Sequence, residues 1–167
     1  TPNTNFKYKK NYTKPTKSLK STQNYYNETK SLTAIDIKEF SFLYILLKKP
    51  ELMKDSFHLI ENVKLFSNEN KLLFFEILKQ TKKFEITDIK SLKIDQNLID
   101  RVFKYASIKH ILIKNLKDDQ KILEILSELI RDLKNYELEL RITDLESRLS
   151  KDLSEATFNE LKELKKQ

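Results

Sequence analysis

The chain holds only two histidines, His58 and His110, and the patterns around them put them on different helices. Neither has a carboxylate or second histidine at metal-binding spacing, so both read as surface or boundary residues. A serine nucleophile elbow needs flanking glycines for its sharp turn, and a Gly-rich phosphate loop needs them to let the backbone close on the anion. The chain has no Gly. Acidic side chains are plentiful but nearly all alternate with Lys along helix faces. Glu137 and Arg141, like Asp144 and Arg148, are spaced i, i+4 and read as helix-supporting surface pairs worth roughly 0.2–0.5 kcal/mol each. Nothing assembles a general acid, a base and an oxyanion site. The expectation is a non-catalytic chain with no cofactor and no metal, which leaves recognition as its chemistry.

The elements that would present such a recognition surface are helical. In 167 residues there are three Pro, no Gly and abundant Leu, Ile, Lys and Glu, with no turn pairs of the Asn-Gly kind between strand-like runs. The fold class expected is all-α, a helical bundle subdomain joined by a long helix to a C-terminal helical hairpin. Without Cys there is no disulfide framework and no thiolate metal site, which is compatible with a reducing cytosol, and the expected location is cytoplasmic. No apolar run reaches the roughly 18–20 residues of a membrane span, and no signal peptide is visible. The first residue is Thr1, not Met, so the chain is expected to be cut from a longer protein.

The net charge of +7 points at first to nucleic acid, but its distribution does not. Residues 1–30 carry seven Lys and one acid, Glu28, for +6, whereas residues 31–167 carry 25 basic and 24 acidic side chains. Residues 1–33 are rich in Asn, Thr, Ser, Lys and Tyr, include Pro2 and Pro15, and read as a flexible basic linker. Lys interleaved with Phe6, Tyr8, Tyr12, Tyr25 and Tyr26 also offers weak single-stranded nucleic-acid contact through stacking.

The bundle is expected over 34–136. Asp36 is placed to cap a helix with Ile37, Phe40, Leu43 and Leu47 on its apolar side and Tyr44 and Ile45 on the flank; Pro50 stops it. A short helix with Leu52, Met53 and Phe57 follows. Ser67 or Asn68 caps a third helix containing Leu72, Leu73, Phe75, Ile77 and Leu78. Thr87 caps a turn of helix through Leu92, and Asp95 opens another with Leu98, Ile99, Val102, Phe103 and Ala106. A break near Ser107 precedes Ile108 to Leu116, and Asp118 and Asp119 mark the N-terminus of the long helix.

From Asp118 to Leu149 the helical pattern is unbroken, but its apolar stripe changes face. Ile122, Leu126, Leu129, Leu133, Tyr136 and Leu140 follow steps of four and three. Leu138, Ile142, Leu145 and Leu149 repeat those steps two residues out of phase, about 200° around the helix at 100° per residue. One helix burying opposite faces needs two partners. The second is expected after a polar turn at 150–153, where Ser154 caps a final helix edged by Phe158, Leu161 and Leu164, with Leu153 and Phe158 spaced as a hydrophobic staple. Residues 137–167 are expected to form a hairpin whose outer surface docks on another protein, and a helix break near Glu137 to Glu139 would let it vary its angle. A two-helix unit buries little core and is marginal by itself.

This order of parts resembles the C-terminal helicase-binding domain of bacterial DNA primase, the DnaG family. The residues that carry the resemblance are Glu39-Phe-Ser-Phe-Leu-Tyr-Ile-Leu-Leu-Lys-Lys-Pro50-Glu51-Leu52, similar to the family's Leu-rich helix ending in Pro-Glu-Leu, and the stretch Leu138-Glu139-Leu140-Arg141, Leu145 to Leu149, Leu153-Ser154-Glu155 and Leu161 to Gln167. It covers about residues 36–167, the middle only in helical character. The resemblance implies a bundle that modulates the hexameric replicative helicase (DnaB family), a hairpin that docks on that helicase's N-terminal region, and zinc-binding and polymerase domains upstream. Residues 1–33 would tether the polymerase, raising its effective concentration at the ring.

Within the hairpin, Ile142, Leu145, Leu149 and Leu161 are assigned to the internal seam. Arg141, Arg148, Leu153, Phe158, Lys162 and Leu164 are assigned to the partner. The alternative function is a single-stranded nucleic-acid binding module centred on the basic tail. A third reading pairs the stripe from Ile122 to Leu140 between chains as a short coiled coil.

Overall fold

The computed structural model describes residues 20–82, 95–115 and 117–166. Among these it contains nine helices and no strand. The turn of helix expected from Thr87 to Leu92 lies outside the described residues. The chain divides into two compact units, residues 1–32 and 33–167.

In the first unit, Lys20–Thr29 is a helix, α1. A linker without structure was expected there. These ten residues contain neither Pro nor Gly, and the Thr29 hydroxyl donates back to the Tyr25 carbonyl at 2.9 Å, closing the last turn.

The second unit is organised around α2 (Ala34–Lys48). Its cap is Thr33, not Asp36. The Thr33 Oγ1 accepts from the Asp36 N–H at 3.2 Å, and the Asp36 Oδ2 accepts from the Thr33 N–H at 2.7 Å, a reciprocal capping box. The carboxylate therefore works three residues inside the helix end. Residues 39–47 are all buried, so α2 has no solvent face over two and a half turns. Its apolar residues were expected on one side and a flank. A helix apolar all round belongs in the middle of a core, and α2 contacts α3 (Pro50–Asp55), α5 (Asn68–Lys82), α6 (Gln96–Tyr105), α7 (Lys109–Lys114) and α8 (Asp119–Lys151). Pro50 sits at the start of α3, where its missing N–H costs nothing. The segment expected as one short helix breaks at Ser56 into α3 and α4 (Phe57–Ile60).

Two polar residues inside α2 set its register. Glu39, fully buried, accepts from the Phe66 and Ser67 N–H groups just ahead of α5 and from Asn70 Nδ2 at 2.7 Å. The acid thus satisfies donors at the N-terminal end of another helix, where negative charge is favoured. Ser41 accepts from the Ser107 N–H at 3.1 Å in the turn between α6 and α7, and its own hydroxyl lies 2.8 Å from the Ile37 carbonyl. Ring contacts complete the packing: Phe42 against Phe74 at 5.4 Å and Tyr44 against Phe103 at 5.2 Å, both edge-on. As expected, Asp95 and Asp118 are caps, accepting from the Asn97 and Lys121 N–H groups at 3.0 Å each.

Beyond the end of α2, Lys49 reaches Asp119 at 2.9 Å and Glu51 at 3.4 Å, joining it to α8 and α3. The hydrogen bond to Asp119 is the main cause that holds the Lys49 ammonium above its ordinary range. Its contribution to stability is therefore complete below the unfolded lysine value of about 10.4 and is lost as pH rises through the folded one.

Two outcomes follow for thermal or denaturant unfolding. Glu39→Ala strands buried donors and lowers stability by about 2–3 kcal/mol, with Glu39→Gln losing less because an acceptor remains. In a double-mutant cycle, the coupling between Lys49 and Asp119 is present at neutral pH and vanishes at strongly alkaline pH; a coupling that persisted there would contradict the assigned ion pair.

Candidate protein-docking hairpin

α8 runs without interruption from Asp119 to Lys151, so there is no break at Glu137 to Glu139. Its early stripe is core: Ile122, Leu126, Leu129 and Leu133 are buried, joined by Ile130. That burial removes the stripe from any pairing between chains. Tyr136 is half-buried, edge-on to Phe66 at 4.8 Å, and the next residue, Glu137, pairs with Lys64 at 2.5 Å. Leu140, the last member of the stripe by spacing, is 44% exposed. Near this point a cleft of about 420 Å³ opens between α2 and α8, lined by Thr33, Lys38, Asp132, Asn135, Tyr136 and Glu139.

The second stripe has its own small core. Leu145 is buried with Leu161 and Leu164 of α9 (Glu155–Leu164), and Leu138, Ile142 and Leu149 pack against them partly buried. The reversal is tight. The Asp152 N–H returns to the Arg148 carbonyl at 3.0 Å, the Ser154 N–H to the Asp152 carbonyl at 2.8 Å, and the Phe158 N–H opens α9 on the Ser154 carbonyl at 3.0 Å. The Ser154 side chain makes no cap bond. Two ion pairs cross the helices, Arg141 to Glu160 and Lys165 to Glu146, each at 2.6 Å. Residues five apart are about 140° apart around a helix, so the two pairs straddle the seam. Being exposed, each contributes no more than about 1 kcal/mol.

The site residues expected from sequence separate into three groups. Ile142, Leu145, Leu149 and Leu161 lie in the seam. Leu153, Phe158, Arg148 and Lys162 are on the exposed surface, with Leu153 90% and Phe158 54% exposed. Leu164 was assigned to the outer edge and is instead buried at 6% exposure in the seam. The reason is geometric. Phe158, Leu161 and Leu164 step by three, so they spread over about 120° of the helix and cannot all face α8. Thr157, Leu161 and Leu164 follow the tighter i, i+4, i+7 row, and Thr157 is half-buried accordingly. Phe158 is the member left outside. Leu153, almost wholly exposed, cannot bury much against Phe158, so the expected staple does not close. Arg141 is engaged by Glu160 within the hairpin, and Arg148 approaches Asp144 at 3.8 Å.

Among the described residues no group of three His, Cys, Asp or Glu side chains comes together to hold a metal, and both histidines are exposed. No helix among them is long and apolar enough to cross a membrane. Chemically the hairpin presents two exposed apolar side chains, Leu153 and Phe158, and charged groups on its outer surface. No protein-family model, curated protein or solved structure matches the chain.

Alanine at Leu145, Leu161 or Leu164 removes buried volume and destabilises the hairpin by about 2–4 kcal/mol. Amide exchange is the measurement: α9 protection collapses in these variants while α2 protection holds, whereas Leu153→Ala changes neither.

Proposed function

We propose that this chain is the helicase-binding part of a bacterial DNA primase, a non-catalytic module of the cytoplasmic replisome that docks the enzyme onto the N-terminal region of the hexameric replicative helicase during DNA replication. The observation that carries this reading is the division of labour along α8. One half closes the bundle, and the other half forms, with α9, a hairpin that has its own core and leaves Phe158 and Leu153 to solvent. The order of a Leu-rich helix ending at Pro50-Glu51-Leu52, a bundle, a long helix and a terminal hairpin supports the same family resemblance.

On this reading, Phe158, Leu153, Arg148 and Lys162 meet the helicase. Leu164 and Arg141 act indirectly, by holding α9 in place. Recruitment needs no reacting groups in this chain, because polymerase chemistry would belong to domains upstream. The basic segment 1–33 would serve as the tether.

The test mixes the chain with the helicase N-terminal region and measures complex formation, with and without residues 137–167. Loss of the complex on deletion is expected. Phe158→Ala weakens it by roughly 2–4 kcal/mol with helical content unchanged, as truncation of a buried aromatic anchor does. Undiminished binding without 137–167 would rule the docking role out. If the chain instead binds single-stranded DNA, with affinity falling steeply with salt and lost on deleting 1–33, the nucleic-acid reading takes its place. The exposed Tyr25 and Tyr26 of α1 are the residues that would then stack on bases.

A further inference from the structure

α5 carries an outward row unrelated to the hairpin. Its buried side is Asn70, Leu73, Phe74, Ile77 and Thr81. On the opposite side, at 100° per residue, Asn68, Leu72, Phe75 and Lys79 fall along one stripe. Leu72 and Phe75 in the middle of that stripe are 70% and 67% exposed. The steps of four, three and four are the a/d spacing of a two-stranded coiled coil. With Leu72 and Lys79 at a and Asn68 and Phe75 at d, Lys71 falls at g and Glu69 and Glu76 fall at e.

The surface beside the row is shaped to take such residues as well as to present them. On one side is a groove of about 640 Å³ lined by Val63, Leu65, Phe66, Phe74 and Leu78, with Lys64 and Lys71 among its charged groups. On the other is a groove of about 450 Å³ lined by Leu98 with Glu69, Glu76, Asp95 and Arg101. Apolar knobs standing between holes give a self-complementary surface, which is what a two-fold contact requires. The first rim also carries Glu137, which pairs with Lys64 and leaves Lys71 as its unbalanced charge, whereas the second rim is mainly acidic.

We propose that two copies of this chain associate in parallel through α5, with Leu72 and Phe75 of each seated against the other and Lys71 of one copy paired with Glu76 of the other. Charge selects the orientation. In a parallel pair the g residue faces the e residue five positions further along the second helix, and Lys71 and Glu76 are five apart. In an antiparallel pair g faces g and e faces e, so lysine would meet lysine and the glutamates would meet each other. The Lys71 ammonium is exposed and lies 3.5 Å from the Asn68 side-chain oxygen. The Glu76 carboxylate lies 3.7 Å from Lys79 and accepts from Gln80 at 3.3 Å, so pairing with Lys71 of the other copy exchanges these contacts within the helix. α5 has 15 residues, so the seam is short, and Asn68 and Lys79 in it fix register at a cost in strength. The association is therefore weak and concentration-dependent.

Sedimentation equilibrium of the full chain at rising concentration, up to millimolar, tests this. A monomer–dimer equilibrium is expected. Phe75→Glu weakens it about tenfold or more with an unchanged far-ultraviolet spectrum, because the ring is mostly exposed in the monomer. Lys71→Glu weakens it, and the double variant Lys71→Glu with Glu76→Lys restores it. Because the chain has no Cys, a single Lys79→Cys reports orientation: the parallel pair sets the two thiols side by side and oxidises to a cross-linked dimer. A chain monomeric at millimolar concentration, a dimer indifferent to Phe75→Glu, or a dimer of Lys79→Cys that does not cross-link overturns the proposal.

Discussion

Nine consecutive residues of α2, from Glu39 to Leu47, are buried, and the rest of the unit is arranged around that fact. Burying a helix on every side supplies a large hydrophobic driving force but little direction, since apolar contact is nearly indifferent to rotation about the axis. Direction comes from the two polar side chains inside the buried run. Glu39 holds the entry to α5 and Ser41 holds the turn between α6 and α7, so sliding or rotating α2 would strand a carboxylate or a hydroxyl in the core. The first half of α8 then closes another side of the same core.

That placement of α8 explains how a hairpin with a core of three buried leucines holds its shape. A helix is costly to start and cheap to extend. The bundle packs α8 through Ile122, Leu126 and Leu133 and contacts it as far as Tyr136 and Glu137, and the helix continues from there. The hairpin needs only to fold α9 back on a helix already formed. Its stability thus depends on the bundle, while its exposed surface remains separate. The unbroken backbone through 137–139 means that the second half of α8 keeps the direction the first half gives it.

Across the hairpin, burial and exposure separate residues that look alike in sequence. Leu164 and Phe158 are both apolar members of α9, yet one stabilises the seam and the other faces water. The charged residues divide similarly. Arg141 and Lys165 are engaged across the two helices, whereas Lys162 is exposed on the outer surface. The outer surface thus carries an aromatic ring and a leucine among charged groups of both signs, while the seam leucines set the position of α9.

Local physics was legible in the residues alone. The lack of Gly, the stops at Pro50 and near Ser107, the caps at Asp95 and Asp118, and the phase change along α8 all follow from backbone preference and period, which act within a few residues. Ile142, Leu145 and Leu149 came from that same period, whereas nothing in the period separated Leu161 from Leu164. What tertiary structure decided was non-local. The full enclosure of α2 was hidden because a one-sided apolar pattern and an all-round one differ only in which neighbours arrive. The choice of Leu164 over Phe158 depended on the rotation of α9, and three residues stepping by three allow more than one rotation until the groove on α8 selects the row that fits. The exposure of Leu72 and Phe75 was equally invisible, because their apolar character suits a core as well as a surface, and only the packing of α5 on α2 and α6 shows which way they face.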